Sequence, residues 1–127
     1  MLTKVYIDVD ETLVFWQNPN IPYYGKFEIN HNLIDVLKKG LDKNLFGVCV
    51  WSYGGKKYAE MIAKTLFKEY KLPFYSKSTY YKVPYNCVAV DDRKQRDRYY
   101  LENFAKVYSP SEFVRYVGDK LRELNKL

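Results

Sequence analysis

Apolar runs alternate with amphipathic segments along this chain, an order that predicts a parallel β-sheet wrapped by helices. Lys4 to Val9, rich in β-branched and aromatic residues, reads as a first strand. A loop from Phe15 to Glu28 follows, carrying Pro19, Pro22 and Gly25. Asn30 then caps a helix with Leu33, Ile34, Leu37 and Leu41 at helical spacing and Gly40 near its end. Leu45 to Trp51 is the second strand. Gly54 and Gly55 turn the chain into a second helix, from about Lys56 to Tyr70, whose buried face holds Ala59, Ile62, Ala63, Leu66 and Phe67. Short strands are expected near Leu72 to Tyr75 and at Cys87 to Val90. The last helix opens at Ser109, with Glu112 at capping-box spacing and Pro110 in its first turn, and Phe113, Val114, Val117, Leu121 and Leu124 form its apolar stripe. The expected fold is α/β, a three-layer Rossmann-like parallel sheet with helices on both faces.

At 127 residues the chain has room for one domain, residues 1–127, and its 47% hydrophobic content is enough for a real core. The longest apolar run, Phe46 to Trp51, is far below the roughly 20 residues of a membrane span, so no membrane partner is expected. Asp8 interrupts the amino terminus before a signal-peptide core can form, and the expected compartment is the cytoplasm. Cys49 and Cys87 lie in apolar runs without metal-ligand spacing and read as packed thiols. A net charge of +6 favours anionic partners without naming one.

The chemistry gathers where strands end. Asp8 and Asp10 close the first, Ser52 the second, and Asp91 with Asp92 the later one. Parallel strands bring their carboxyl ends to one edge, where open α/β sheets bind ligands. Four carboxylates in one crevice repel one another and call for a cation, and an all-oxygen donor set suits Mg²⁺.

Asp8-Val9-Asp10-Glu11-Thr12-Leu13 after a hydrophobic strand resembles the first motif of the haloacid dehalogenase (HAD) superfamily of phosphohydrolases, D-x-D-x-T-L. Ser52 is similar to the family's second motif, and Asp91-Asp92 to its acidic fourth. The third motif is one lysine. Lys82, in Lys82-Val83-Pro84 nine positions before Asp91, is preferred, with Lys77 in reserve. The resemblance spans residues 4 to about 98. It implies that Asp8 attacks phosphorus, giving an aspartyl phosphate, and that Asp10 protonates the leaving oxygen and later activates water. It further implies that Ser52 and the lysine hold phosphoryl oxygens. Asp8, the main-chain carbonyl of Asp10 and Asp91 would hold Mg²⁺, with Asp92 acting through water or by orientation. Thr12 is expected to brace the turn through backbone hydrogen bonds, while Trp16 and Trp51 are expected to pack and His31 to be a solvated first-turn residue. Aspartate at position 10 favours phosphatase over dehalogenase chemistry.

Cap domains in this superfamily are inserted beside these motifs. Only about 14 residues, Phe15 to Glu28, are left for one after the first motif, and the 30 positions from Ser52 to Lys82 already hold a helix and a strand, so no cap domain is expected. An open crevice suits phosphates borne by macromolecules. Tyr53, Gly54, Lys56 and Arg93 are the expected substrate-binding residues, joined on the rim by Lys57, Lys94, Arg96, Arg98 and the loop tyrosines Tyr23, Tyr24, Tyr80, Tyr81 and Tyr85. Basic groups interleaved with aromatics suit a nucleotide or a nucleic-acid end. The alternatives are a phosphatase of sugar phosphates or phosphoproteins, and an idle fold serving as a nucleic-acid binding module.

Overall fold

The structure is a computed structural model that describes residues 3–20, 25–77, 86–92 and 104–126. Five parallel strands form its main sheet: β1 (Lys4–Asp8), β4 (Gly47–Ser52), β5 (Phe74–Ser76), β6 (Val88–Val90) and β7 (Lys106–Tyr108), in the order β5-β4-β1-β6-β7. A separate antiparallel hairpin pairs β2 (Val14–Trp16) with β3 (Phe27–Ile29), and the helices are α1 (His31–Asp42), α2 (Lys56–Leu66) and α3 (Pro110–Asn125). This α/β arrangement of a parallel sheet flanked by helices is compatible with a Rossmann-like fold. Strand order runs outward from β1 through β4 to β5, then jumps back across β1 to β6. The reversal opens a crevice between the carboxyl ends of β1 and β6, the place where such sheets take ligands.

Strand alternation divides the core. Val5, Ile7, Val48, Val50 and Val90 face one way and pack with Leu33 and Leu37 of α1, Ala59 and Ile62 of α2 and Phe113 and Val117 of α3. Tyr6, Cys49, Trp51 and Ala89 face the other way and pack with Cys87 and Phe104. Among the described residues the three helices share the first of these faces. A rightward crossover explains the first two, because β1 to β4 and β4 to β5 step in the same direction. The thiols of Cys49 and Cys87 are free and buried, as expected, and burial pushes Cys49 up to about 11, which keeps it an unreactive thiol.

Both expected caps are present. The Asn30 side chain accepts from the Leu33 amide, and Ser109 and Glu112 make a reciprocal capping box ahead of Pro110. His31 is exposed in the first turn of α1. Other boundaries move for physical reasons. β4 begins at Gly47 because Leu45 is still tied to the Gly40 carbonyl, at 2.9 Å, and Asn44 takes a left-handed turn at φ 56°. α2 stops at Leu66 because Phe67 leaves helical geometry to enter the core. The stretch read as a loop from Phe15 to Glu28 contributes most of the hairpin, which has no helix among the described residues. β7, three residues long, was not anticipated, and Leu124 is exposed rather than part of the core stripe. Among the described residues no helix is long and apolar enough to cross a membrane.

Gly40 marks a packing constraint as well as a helix end. A Cβ built there would stand 2.1 Å from Phe46 Cζ, and Phe46 is itself buried against Phe113 with ring centroids 5.7 Å apart. Gly40→Ala is expected to destabilise the protein by roughly 1–3 kcal/mol in urea unfolding despite alanine's better helix propensity. Adding Phe46→Leu should recover part of that loss; a gain in stability from Gly40→Ala alone would show that the ring yields freely.

Candidate active site

Four strand ends supply the site. β1 delivers Asp8, β4 delivers Ser52, β5 hands on to Lys77, and β6 hands on to Asp91 and Asp92. Register aligns them: Asp8 pairs across to Trp51 of β4, and Ser52 pairs with Ser76 of β5, so Lys77 emerges beside Ser52 at the same edge. Asp91 is fixed from its other side, its amide donating to the Tyr108 carbonyl of β7 at 3.0 Å.

The Lys77 ammonium donates to Asp8 Oδ1 at 2.6 Å and to Asp91 Oδ2 at 2.9 Å. It is only 2% exposed, and it lies 5.4 Å from the Trp51 ring and 5.3 Å from the Tyr53 ring. Thr12, also buried, donates its hydroxyl to Asp8 Oδ2 at 2.9 Å. Thr12 braces its turn through the backbone as expected, its amide joining those of Leu13 and Val14 on the Val9 carbonyl at 2.9–3.2 Å, and its hydroxyl adds a contact with the carboxylate itself.

Asp8, Asp91 and Asp92 bring carboxylate oxygens within 4.8 Å of one another. Burial pushes the Asp8 carboxyl well above the usual carboxylate range against the opposing pull of Lys77, with Asp91 adding to the rise. Asp92 is raised as well, again by burial first, while a hydrogen bond with Asp8 draws it back down. Three oxygen-donor acids around one ammonium leave negative charge in excess, and that donor set fits a hard divalent cation such as Mg²⁺.

Ser52, buried at the end of β4, accepts the Gly54 amide on its hydroxyl at 2.9 Å. Gly55 follows at φ 102°, ψ 169°, a conformation essentially confined to glycine, and begins α2 without a side-chain cap. Tyr53 is 52% exposed, and Lys56 and Lys57 are exposed in the first turn of α2, which has no acidic residue. Lys56 also lies 5.8 Å from the Phe74 ring.

Asp10 sits just past β1, with its Oδ1 accepting the Trp16 indole N–H at 2.8 Å and the Tyr58 hydroxyl at 2.7 Å. Its carboxylate is not one of the three that cluster. Trp51 packs as expected; Trp16 packs on Phe27, with centroids 5.0 Å apart, and is also a polar partner of Asp10, which sequence reading missed. Tyr58 was missed altogether. Its one available signal was a place in the first turn of the helix that follows Ser52.

The expected set is therefore gathered in large part. Asp8, Ser52, Asp91 and Asp92 stand at one edge with Asp10 adjacent, and among the described residues the lysine brought to the carboxylates is Lys77, the reserve choice. Lys82, Arg93, the basic residues Lys94, Arg96 and Arg98, and the tyrosines Tyr23, Tyr24, Tyr80, Tyr81 and Tyr85 lie outside the described residues. A comparison of the chain with models of known protein families, with curated proteins and with solved structures gives no match.

Charge balance makes the stability of this cluster testable. In buffer without divalent cations, Asp8→Asn leaves Lys77 and Asp91 as a balanced pair and should raise the unfolding free energy at pH 8 by roughly 1–4 kcal/mol, the scale for relieving unfavourable buried charge. Because the folded-state affinity of Asp8 for its proton is raised, the wild-type penalty is absent below the ordinary carboxylate range of about 4 and grows as pH rises through the folded value. The advantage of Asp8→Asn should accordingly vanish in acid. Lys77→Met, which strips the ammonium from two buried carboxylates, should cost about 3–5 kcal/mol. Chemical denaturation of both variants at pH 4 and pH 8 measures these effects, and an Asp8→Asn variant less stable than wild type at pH 8 contradicts the charge assignment.

Proposed function

We propose that this protein is a phosphatase of the HAD type, working through an aspartyl-phosphate intermediate on Asp8 and taking Mg²⁺ as its cofactor. The observation that carries the reading is Lys77, buried between Asp8 and Asp91 at the strand edge that also holds Ser52. Packing alone does not call for a lysine between two carboxylates, since ion pairs so placed seldom outdo apolar residues of like volume. Charge held ready for an anionic transition state gives the arrangement a use.

In this mechanism an Asp8 oxygen forms a bond to phosphorus as the bond to the leaving oxygen breaks, and Asp10 gives that oxygen a proton. Water then attacks the aspartyl phosphate, with Asp10 taking its proton, and inorganic phosphate leaves. Ser52 binds a phosphoryl oxygen. Lys77 neutralises charge on Asp8 and on the transferred group, and Thr12 holds the second Asp8 oxygen in place. Asp8, Asp91 and the Asp10 carbonyl would hold Mg²⁺, with Asp92 acting through water or by orientation. When bound, the metal supplies charge that keeps the dianionic substrate and Asp8 from repelling each other.

For substrate, we favour a nucleotide or a polynucleotide terminal phosphate. Support comes from the exposed Tyr53 ring at the site, from Lys56 and Lys57 at an α2 start without acidic residues, and from the net charge of +6. The small hairpin between β1 and α1 is consistent with an open crevice.

Aryl phosphate hydrolysis is expected only with Mg²⁺ or a similar hard cation, and Asp8→Asn should abolish it; turnover of that variant within threefold of wild type would contradict the mechanism. Lys77→Ala should lower turnover on the order of a hundredfold, the scale of losing one preorganised charge, with Lys82→Ala mild. The opposite ranking would return the lysine role to Lys82.

The substrate class has its own measurement. An oligonucleotide with a terminal phosphate should be turned over more efficiently than a sugar phosphate at low salt. That advantage should shrink as salt rises, with a log-log slope of about 0.7 for each further phosphate contact. Equal salt sensitivity for both substrates would remove nucleic acid from the account and leave the phosphatase reading standing.

A further inference from the structure

We propose that Trp16 and Tyr58 are positioning residues that hold the Asp10 carboxylate through one oxygen, Oδ1, and so orient it for proton transfer to the leaving group. The inference rests on the phosphatase reading and adds to it the parts that aim the acid. Both bonds end on the same atom, at 2.8 Å from the Trp16 indole nitrogen and 2.7 Å from the Tyr58 hydroxyl. An indole N–H can only donate, so Oδ1 serves as an acceptor and is a poor place for a proton. Two donors converging from different directions also fix the rotation of the carboxylate plane, and proton transfer depends on that orientation.

The donors come from elements distant in sequence. Trp16 ends β2 of the hairpin, and Tyr58 lies in the first turn of α2, behind Ser52. Trp16 is itself held at three points: its ring packs on Phe27, its indole nitrogen donates to Asp10, and its backbone amide donates to Glu11 Oε2 at 3.0 Å. Glu11 is one of two non-glycine residues with positive φ among those described, at φ 60°, and its own amide donates to the Val14 carbonyl at 2.7 Å. A side chain that could be glycine on conformational grounds is thus used to seat Trp16, and Trp16 is used to seat Asp10. The hairpin and α2 meet on the acid.

The role separates from a merely structural one through the leaving group. A nitrophenolate departs without a proton, whereas an alkoxide does not, so misplacing the acid slows formation of the aspartyl phosphate only from the second; its later hydrolysis, in which Asp10 takes the proton of water, slows for both. Tyr58→Phe and Trp16→Phe should each lower the single-turnover rate of leaving-group release from an alkyl phosphate about ten- to a hundredfold. They should change the burst rate of nitrophenolate release from p-nitrophenyl phosphate less than threefold. Asp10→Asn should show the same selectivity in this first step more strongly. Equal losses of the first-step rate on both substrates, or none, would overturn the inference while leaving the phosphatase reading intact; a wild type inactive on every phosphate ester overturns both. A measurement independent of turnover is the indole N–H resonance of Trp16, assigned with Trp16→Phe. Asp10→Ala should shift it and speed its exchange with solvent while the Trp51 resonance stays in place, and an unmoved Trp16 resonance would show that the hydrogen bond is not made.

Discussion

A lysine ammonium shared between two carboxylates, out of reach of water, is the interaction on which the arrangement of the strand edge depends. Lys77 meets Asp8 and Asp91 only because β5, β1 and β6 run parallel and end at one level, with β4 bridging β5 to β1. The same charges explain why the edge is built from residues locked on every side. Thr12 bonds the second oxygen of Asp8, the β7 carbonyl of Tyr108 anchors the Asp91 amide, and the rings of Trp51 and Tyr53 flank the ammonium. Burial of this kind is costly in water-poor surroundings, and it raises the proton affinity of Asp8. In the proposed reaction that cost is recovered when phosphate and cation arrive, because the ammonium is already in place and need not reorganise.

Around that centre the local structure works as a set of ties between motifs. Asn30 caps α1 with its Oδ1, donates its side-chain amide to the Thr12 carbonyl at 3.0 Å, and donates its backbone amide to the Leu13 carbonyl at 2.9 Å. The start of α1 therefore holds the turn that places Thr12 under Asp8. Ser52 plays a parallel part at the start of α2, where its hydroxyl holds the Gly54 amide and its carbonyl accepts the Gly55 amide at 3.3 Å. Stability and site geometry are thus maintained by the same hydrogen bonds.

Much of this was legible in the sequence, and the omissions have common causes. Long apolar runs ending in aspartate or serine located Asp8, Ser52 and Asp91, because a buried strand cannot extend past a charged or turn-forming residue without a change of environment. Helix caps at Asn30 and Ser109 were legible because their bonds are local. Lys77 was ranked second because its placement depends on β5, a three-residue strand whose position is set by pairing with β4 rather than by its own pattern. β2, β3 and β7 were missed for the same reason, and three residues are too few to show a period. Trp16 and Tyr58 carried no local mark, since a hydrogen bond across 48 positions, as from Tyr58 to Asp10, exists only once the fold is made. The side of the sheet taken by each helix follows from the order of the strands, which composition does not reveal.

Chemical trapping on Asp8 tests the central claim most directly. Acid quenching during turnover of a phosphate ester labelled with ³²P should leave label on the protein, stable in acid and released by hydroxylamine as expected of an acyl phosphate. Proteolysis and mass spectrometry should place the added phosphoryl group on the peptide containing Asp8. Steady hydrolysis of the same ester with no label on that peptide, or with label on another residue, would contradict the assignment of Asp8 as the nucleophile beside Lys77.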